Sequence, residues 1–170
     1  MLVNTIVVGM GNTLLSDDGA GVFVARALET RLEGAAEVRE SETMGLDIVE
    51  MLRGYDRAII VDTIMLEGEE PGTVFRLTEE DIRITPRLAS VHDVDLFTSL
   101  ELGRRLRFHM PSEVVIFAVQ ARDPYTLCEG CLPEVERVLP ALADEVAGLV
   151  TGRGNGRVSI SLSERKNGRA

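Results

Sequence analysis

The sequence has few of the features that mark secreted or membrane proteins. Its 170 residues include only two cysteines, too few for a disulfide framework. No apolar run approaches the ~20 residues that a membrane-spanning helix needs. The N-terminus lacks a basic region followed by a long apolar stretch and a cleavage site of small residues. We therefore expect a cytoplasmic protein that has no signal peptide and no membrane partner.

Basic residues are also scarce outside one segment. The chain has a net charge of −10, with 18 lysines and arginines against 28 acidic residues. Residues 151–170 hold five basic residues and one acidic residue, so this tail carries +4 and residues 1–150 carry −14. An acidic body excludes nucleic acid as the expected partner, because phosphates require basic surfaces. The tail is rich in Gly, Ser and Arg, which predicts a flexible extension with a transient strand at 158–162.

Residues 1–150 alternate between strand and helix patterns. Apolar runs at 5–8, 38–41, 58–61, 73–77 and 114–119 predict five strands, of which 73–77 follows a Pro-Gly turn and is expected to pair antiparallel. Helical spacing is present at 22–32, 45–52, 94–106 and 135–150. This alternation predicts one α/β domain, a three-layer α/β/α sandwich with a twisted, mostly parallel five-stranded sheet. One such domain can fill its own core, so a monomer is expected.

The segment 7–21 begins like a nucleotide-binding turn and then departs from it. Gly9 and Gly11 match the first two glycines of a G-x-G-x-x-G fingerprint, but Leu14 takes the third position. Asp17 and Asp18 occupy the place where a pyrophosphate would approach the helix N-terminus. Because carboxylates repel phosphate and attract cations, the segment favours a metal site over a nucleotide site. Ser16 or Asp17 is the expected N-cap of the following helix.

Three candidate metal ligands follow from the predicted sheet. Asp18 comes after the first strand, Asp62 ends the strand at 58–61, and His92 enters the helix predicted at 94–106. Ligands collect outside the carboxyl ends of parallel strands, so we expect these side chains to gather there. Ser90 and Asp93 match a capping pattern that places His92 in the first helical turn, where positive potential favours the neutral imidazole that binds metal.

Two carboxylates and one imidazole suit nickel, zinc, manganese or cobalt and leave open coordination positions. Taken singly, each residue has a simpler interpretation. Asp17 fits a helix cap better than a ligand, Asp18 fits a cap or a surface residue, and His92 fits an ordinary residue at a helix start. His109, in a predicted loop, is expected to have no role. The combination of Asp18, Asp62 and His92 is what favours a metal.

Four segments resemble the hydrogenase maturation proteases, a family of nickel-dependent endopeptidases that process large subunits of nickel–iron hydrogenases. They are Gly9-Met10-Gly11-Asn12 through Gly21, Ile59 through Ile64, Pro71-Gly72-Thr73, and Ser90-Val91-His92-Asp93. The resemblance runs from about residue 5 to residue 150, in the order and spacing of the family. It implies that Asp18, Asp62 and His92 contact the metal, and that a twisted sheet lies between two helical layers.

The resemblance also implies the reaction. Such an endopeptidase removes a short C-terminal extension from the nickel-loaded precursor of the large subunit, and the nickel that it recognises belongs to the precursor. Isolated protein is then expected to accept zinc or cadmium in place of nickel. Asp18, Asp62 and His92 are also the candidate catalytic residues, and the residues alone leave open which of them activates water or acts as general base.

Two other functions remain open from the residues. One is a nucleotide-binding domain built on the Gly9–Gly11 turn, against which Leu14 and the acidic pair argue. The other is a non-catalytic hydrogenase assembly factor or metallochaperone that docks through its acidic face. Glu42, near the predicted second helix, departs from the family pattern and bears on substrate choice.

The Cys128-Glu129-Gly130-Cys131 motif has three interpretations. It is a redox pair with one thiol acidified at the following helix, or half of a zinc site, or two thiols without a role. For the zinc site, His109 is the only spare histidine and a second pair of ligands is missing. The resemblance does not require the motif. Because its loop follows the strand at 114–119, it is expected at the same sheet edge as the three candidate ligands. A thiol switch or an auxiliary metal ligand is therefore the secondary hypothesis.

Overall fold

The computed structural model describes the backbone of residues 3–42, 46–84, 91–153 and 157–161. Its strands are β1 (Thr5–Met10), β2 (Glu37–Ser41), β3 (Arg57–Ile64), β4 (Val74–Thr78), β5 (Glu113–Gln120) and β6 (Ser159–Ser161). Its helices are α1 (Ala20–Glu29), α2 (Leu46–Leu52), α3 (Glu79–Ile84), α4 (Val91–Arg105), α5 (Pro133–Glu136) and α6 (Leu139–Thr151), and a 3-10 turn, Ser16–Gly19, precedes α1. Within this part of the chain, no helix is long and apolar enough to cross a membrane.

The strands form one sheet in the order β2-β1-β3-β5-β4-β6. The neighbours β2, β1, β3 and β5 pair in parallel, and β4 pairs antiparallel to β5, as the turn at 71–72 predicts. The mostly parallel sheet is therefore confirmed. The sheet has six strands rather than the five predicted, because residues 159–161, within the segment where a transient strand is predicted, pair parallel with β4.

Helices cover both faces of the sheet and give the three layers. Alternate residues of the central strands point to opposite faces, because side chains of a strand alternate. One core cluster joins the sheet to α2 and α4 and includes Ile6, Val8, Ile60, Leu52 and Leu96. The other joins it to α1, α5 and α6 and includes Val7, Val61, Val24, Val135 and Leu142. The α/β/α architecture follows from this division of the apolar residues.

The helix predicted at 135–150 is wrong as a single element. The structure has a short α5 and then α6, in which Pro140 occupies the first turn after the N-cap Val138. Proline has no amide hydrogen to donate to the carbonyl four residues earlier, so a continuous helix would lose that bond at Glu136. A proline in the first turn loses nothing, because amides there have no intrahelical partner. The proline therefore starts a new helix.

The sixth strand is anchored by one buried carboxylate. Glu145 of α6 is almost fully buried, and its Oε2 accepts hydrogen bonds from the backbone amides of Val158 at 2.8 Å and Ser159 at 2.9 Å. Its Oε1 accepts the hydroxyl hydrogen of Ser159. Ser159 is aligned with Val74 at the β4 edge. Three donors on one carboxylate fix the position of β6 against the domain.

Replacing Glu145 with alanine should detach β6 and lower the free energy of unfolding by about 2 kcal/mol, since hydrogen bonds to charged groups are the stronger ones. Chemical denaturation measures the loss, and hydrogen exchange of the amides of Val158 and Ser159 locates it. Asp144→Ala, which removes an exposed acid from the same helix, is the matched control. Unchanged protection of the two amides in Glu145→Ala would contradict this anchoring.

Candidate active site

The topological switch point of the sheet lies between β1 and β3, where the chain changes direction across the sheet. From β1 the chain passes to β2 on one side, whereas from β3 it passes to β4 and β5 on the other. The pairing of β1 with β3 ends at Gly9 and Val61, while the pairing of β3 with β5 continues to Ile64 and Gln120. Open parallel sheets bind ligands at such a switch point. The carboxyl ends of β1 and β3 are therefore the expected site.

Two glycines allow α1 to lie directly against these strands. A Cβ on Gly21 would lie 2.2 Å from the carbonyl oxygen of Val61 and 2.4 Å from that of Met10. A Cβ on Gly9 would lie 2.2 Å from the carbonyl oxygen of Gly21. No side chain fits between helix and sheet here. Gly21 thus supplies the close packing that the third glycine provides in a nucleotide fingerprint, although Leu14 occupies that fingerprint position.

Asp18 lies in the 3-10 turn after β1, half-buried. Its Oδ2 accepts the backbone amide hydrogen of Asn12 at 2.7 Å. Gly11 has a positive φ of 123°, and a Cβ there would lie 1.8 Å from the carbonyl oxygen of Asp18. The turn can therefore fold back on itself only with glycine at this position. The result is a carboxylate fixed beside the end of β1.

Asp62 lies within β3, two residues before its end. The prediction that the strand stops at Asp62 is wrong, because its pairing with β5 continues to Ile64, whereas its pairing with β1 ends at Val61. The side chain is 1% exposed, and its Oδ1 accepts the backbone amide hydrogen of Thr63 at 2.7 Å. By strand alternation it shares the face of Ile60, which packs in the layer of α2 and α4.

His92 is the second residue of α4, so its backbone lies in the first helical turn, as predicted. Because α4 leads to the amino end of β5, its own start lies toward the carboxyl ends of the strands. The side chain of His92 is outside the described residues, as are Ser90 and the capping pattern that includes it. Among the side chains that the structure describes, no three His, Cys, Asp or Glu residues are grouped to hold a metal. The grouping of Asp18, Asp62 and His92 stays a prediction.

Asp17 is neither a helix cap nor positioned like Asp18. Its fully buried carboxylate accepts backbone amide hydrogens from Arg122 at 2.9 Å, Asp123 at 3.0 Å and Leu132 at 2.8 Å. No side chain caps the 3-10 turn or α1, so the prediction of Ser16 or Asp17 as N-cap is wrong. Asp17 instead fastens both ends of the 121–132 loop. The donors lie more than 100 positions away in the sequence, so the local sequence pattern could not predict these bonds.

The 121–132 loop carries the two cysteines and packs on the acidic turn. The amide of Cys128 donates to the carbonyl of Leu14 at 3.0 Å, and the amide of Ser16 donates to the carbonyl of Cys128 at 2.8 Å. Leu15 and Cys128 thereby form an isolated parallel bridge. The expectation that the cysteine loop emerges at the edge of the acidic turn is confirmed.

The two thiols are free and differ in environment. Cys128 is exposed, whereas Cys131 is partly buried. Burial raises the pKa of Cys131 to about 12, and the nearby carboxylates of Asp17 and Glu136 add to this shift. The interpretation of an acidified thiol is therefore wrong for Cys131, because the residue stays protonated at neutral pH.

Alkylation should distinguish the two cysteines. In the folded protein at pH 8 we expect iodoacetamide to modify Cys128 and to leave Cys131 largely unmodified, since the thiolate is the nucleophile and burial restricts access. Mass spectrometry after proteolysis measures both sites, and the unfolded protein, in which both react, is the control. Rapid labelling of Cys131 in the folded state would contradict its raised pKa.

His109 lies away from the candidate site. Its Nε2 is 2.8 Å from Oδ1 of Asp56, and both side chains are exposed. Its carbonyl accepts the amide hydrogen of Gly54, which follows α2 and precedes β3. These residues lie at the amino ends of the strands, so His109 cannot complete a zinc site with the cysteine loop at the opposite edge.

Fold and site together define a three-layer α/β protein with fixed carboxylates at its topological switch point. A family model described as hydrogenase maturation protease matches residues 22–149. The hydrogenase 2 maturation protease of Escherichia coli K12 is 30% identical, over 85% of this chain and 89% of that protein. The structure of the hydrogenase maturating endopeptidase HybD from E. coli superposes with a TM-score of 0.74 at 25% identity, covering 89% and 94% of the two chains.

A third comparison concerns the fold alone. The [NiFe] hydrogenase maturation protease HybD from Thermococcus kodakarensis has a TM-score of 0.70 at 24% identity and covers 86% of this chain and 99% of that one. The chain belongs to the hydrogenase maturation protease family and is a hydrogenase maturation endopeptidase. This membership decides against the nucleotide-binding domain and the non-catalytic assembly factor.

Proposed function

We propose that this endopeptidase removes a short C-terminal extension from the nickel-loaded precursor of a nickel–iron hydrogenase large subunit. The observation that carries the proposal is the pair of carboxylates at the switch point. Asp18 follows β1, Asp62 lies near the end of β3, and the 3-10 turn of Asp18 packs against β3. Two carboxylates at this position suit a peptide substrate that brings its own cation.

The donor chemistry fits nickel. Carboxylate oxygens and a neutral imidazole nitrogen bind borderline divalent cations, and three protein ligands leave positions for ligands from the precursor. In the proposal Asp18, Asp62 and His92 contact the nickel that the precursor already holds, so the metal is part of the substrate. Zinc or cadmium would occupy the same donors in isolated protein, because such a set discriminates poorly between them.

The carboxylates are oriented before the precursor arrives. The Asn12 amide fixes one oxygen of Asp18, and the Thr63 amide fixes one oxygen of Asp62. Neither bond depends on a flexible side chain, since both donors are backbone groups. A preoriented site loses little conformational entropy on binding. This rigidity supports a site that distinguishes a loaded precursor from an empty one.

The same residues are proposed to take part in peptide hydrolysis. A water molecule must lose a proton as it attacks the scissile carbonyl, and an adjacent carboxylate can accept it. Asp18 and Asp62 are the two candidates for this general base. We also propose that the protein acts in the cytoplasm, since the precursor is to be processed where it is assembled. A monomer is part of the same proposal, because one domain can fill its own core.

Intact mass of the precursor tests the position of the cut. Nickel-loaded precursor incubated with the wild-type protein should lose one defined C-terminal peptide, and the released peptide should account for the whole mass difference. The control is the mature large subunit, which has no extension and should keep its mass. Internal fragments, or an unchanged precursor that nevertheless binds, would contradict removal of a C-terminal extension.

A further inference from the structure

Exposed apolar side chains are concentrated around the candidate site. Among the residues that the structure describes, six large hydrophobic side chains are at least half exposed: Val3, Leu14, Met65, Leu106, Tyr125 and Leu127. Four of them follow the carboxyl ends of β1, β3 and β5, and we name Leu14, Met65, Tyr125 and Leu127 the apolar rim. Their exposed fractions run from 50% at Met65 to 80% at Leu127.

Backbone hydrogen bonds join the three segments that carry the apolar rim. The amide of Cys128, next to Leu127, donates to the carbonyl of Leu14 at 3.0 Å. The amide of Ala121, at the start of the 121–132 loop, donates to the carbonyl of Ile64, next to Met65, at 2.9 Å. The rim therefore borders the same edge of the sheet as Asp18 and Asp62.

Hydrogen bonds to the side chain of Asp123 order the turn that carries the exposed side chains of Tyr125 and Leu127. Asp123 Oδ1 accepts the amide hydrogens of Tyr125 and Thr126, each at 3.0 Å, and Oδ2 accepts the hydroxyl of Thr126. These bonds hold the pKa of Asp123 below its usual value. Tyr125 and Leu127 are thus presented on a structured turn whose ends Asp17 fastens. Fixed, exposed apolar groups of this kind mark interaction sites.

We propose that the apolar rim is a docking surface for the folded precursor, which it contacts outside the segment that is cut. The proposal rests on the proposed function for the identity of the partner. The apolar rim borders the same edge of the sheet as Asp18 and Asp62, so a folded precursor bound at these residues lies against it. Exposed acids, Glu67, Glu70 and Glu129, lie in the same segments and favour a partner surface with basic residues around an apolar centre.

A second copy of this chain fits the apolar rim poorly. Two copies related by a two-fold axis would place the same acidic segments opposite one another. The chain already carries a net charge of −10, so such a contact would be opposed by repulsion between like charges. The charge pattern therefore favours a different partner over self-association.

Substitution of the rim should separate binding from cleavage. We expect the double variant Tyr125→Ser/Leu127→Ser to raise the dissociation constant of the nickel-loaded precursor about 10- to 100-fold, because exposed aromatic and aliphatic anchors dominate interface affinity. The single-turnover rate at saturating enzyme should stay within about twofold of wild type, since no rim residue belongs to the candidate catalytic set. Val3→Ser and Leu106→Ser remove apolar groups elsewhere on the surface that are 50% and 53% exposed, and they are the control variants.

Unchanged precursor affinity in the double variant would overturn the docking surface, as would an equal loss in the two controls. A change in oligomeric state by sedimentation, with precursor affinity unchanged, would also overturn it and assign the rim to a second copy. If wild-type protein binds precursor but removes no C-terminal extension, the proposed function fails, whereas the difference in affinity between rim and control variants still decides the docking surface.

Discussion

The Asp62→Asn variant should fold normally and process the nickel-loaded precursor at least about 100-fold more slowly than wild type. Asparagine has nearly the shape of aspartate, and its carbonyl oxygen can accept the Thr63 amide hydrogen that Oδ1 accepts now. The variant therefore removes the negative charge and keeps the local bond. Loss of a charged group that acts in the transition state costs about 100- to 1,000-fold in rate. Single-turnover kinetics with intact mass detection measures the rate.

The matched control for this variant is Asp144→Asn. It makes the same chemical change on the exposed face of α6, where Asp144 pairs with Arg31. We expect wild-type processing from the control and equal thermal stability in both variants within a few degrees. Wild-type processing by Asp62→Asn would remove this residue from the site. A similar defect in Asp18→Asn would support a shared role for the two carboxylates.

Gly21→Ala should lower the free energy of unfolding by about 3 kcal/mol. The new Cβ would lie 2.2 Å and 2.4 Å from two backbone carbonyl oxygens, well inside the ~3.3 Å at which carbon and oxygen normally meet. Backbone on both sides cannot turn away, so α1 must move off the sheet. Alanine favours helices over glycine by about 1 kcal/mol, but this gain is smaller than the cost of the collision. Thermal and chemical denaturation measure the difference.

Gly103→Ala is the matched control for the glycine variant. It adds the same methyl group within a helix, but the nearest atoms belong to the side chain of Met110, at 2.6 Å from its sulfur. Methionine is flexible and can move aside. We expect a change within about 1 kcal/mol of wild type, because helix propensity offsets the local adjustment. Equal destabilisation by the two variants would show that close packing against β1 and β3 is not what Gly21 provides.

The α/β/α architecture could be predicted because its signals are local. The apolar runs of β1, β3 and β5 are buried along almost their whole length, and each is bounded by polar residues or glycine. The order of strands along the chain, with helical spacing between them, then favours a parallel sheet. The placement of Asp18 and Asp62 at the carboxyl ends of β1 and β3 follows from the same pattern and needs no long-range information.

Other features depend on partners that are distant in the sequence. Asp17 and Asp18 are adjacent and chemically identical, yet Asp17 binds amides of the 121–132 loop and Asp18 binds the neighbouring Asn12. Nothing in the local sequence distinguishes them. The anchoring of β6 by Glu145 also depends on distant partners. The sequence around Glu145 does not show whether this acid is buried or solvated, because its partners, Val158 and Ser159, lie beyond the end of α6.

Two features that the apolar pattern does not predict nevertheless have a local signal in the sequence. Pro140 marks a new helix start, since proline interrupts a helix and is tolerated in a first turn. Gly21 marks the close contact of α1 with the sheet, although it lies outside the spacing of the nucleotide fingerprint. Both residues act through backbone geometry rather than through hydrophobic pattern. Apolar periodicity alone therefore does not predict them.

The most direct test of the proposed recognition of nickel compares two forms of one precursor. Purified large-subunit precursor, loaded with nickel or free of it, is incubated with wild-type protein and with Asp62→Asn, and the intact mass is followed with time. We expect that only wild type removes the C-terminal peptide rapidly, and only from the loaded form. Equal processing of nickel-free and nickel-loaded precursor by the wild-type protein would contradict recognition of the metal by Asp18, Asp62 and His92.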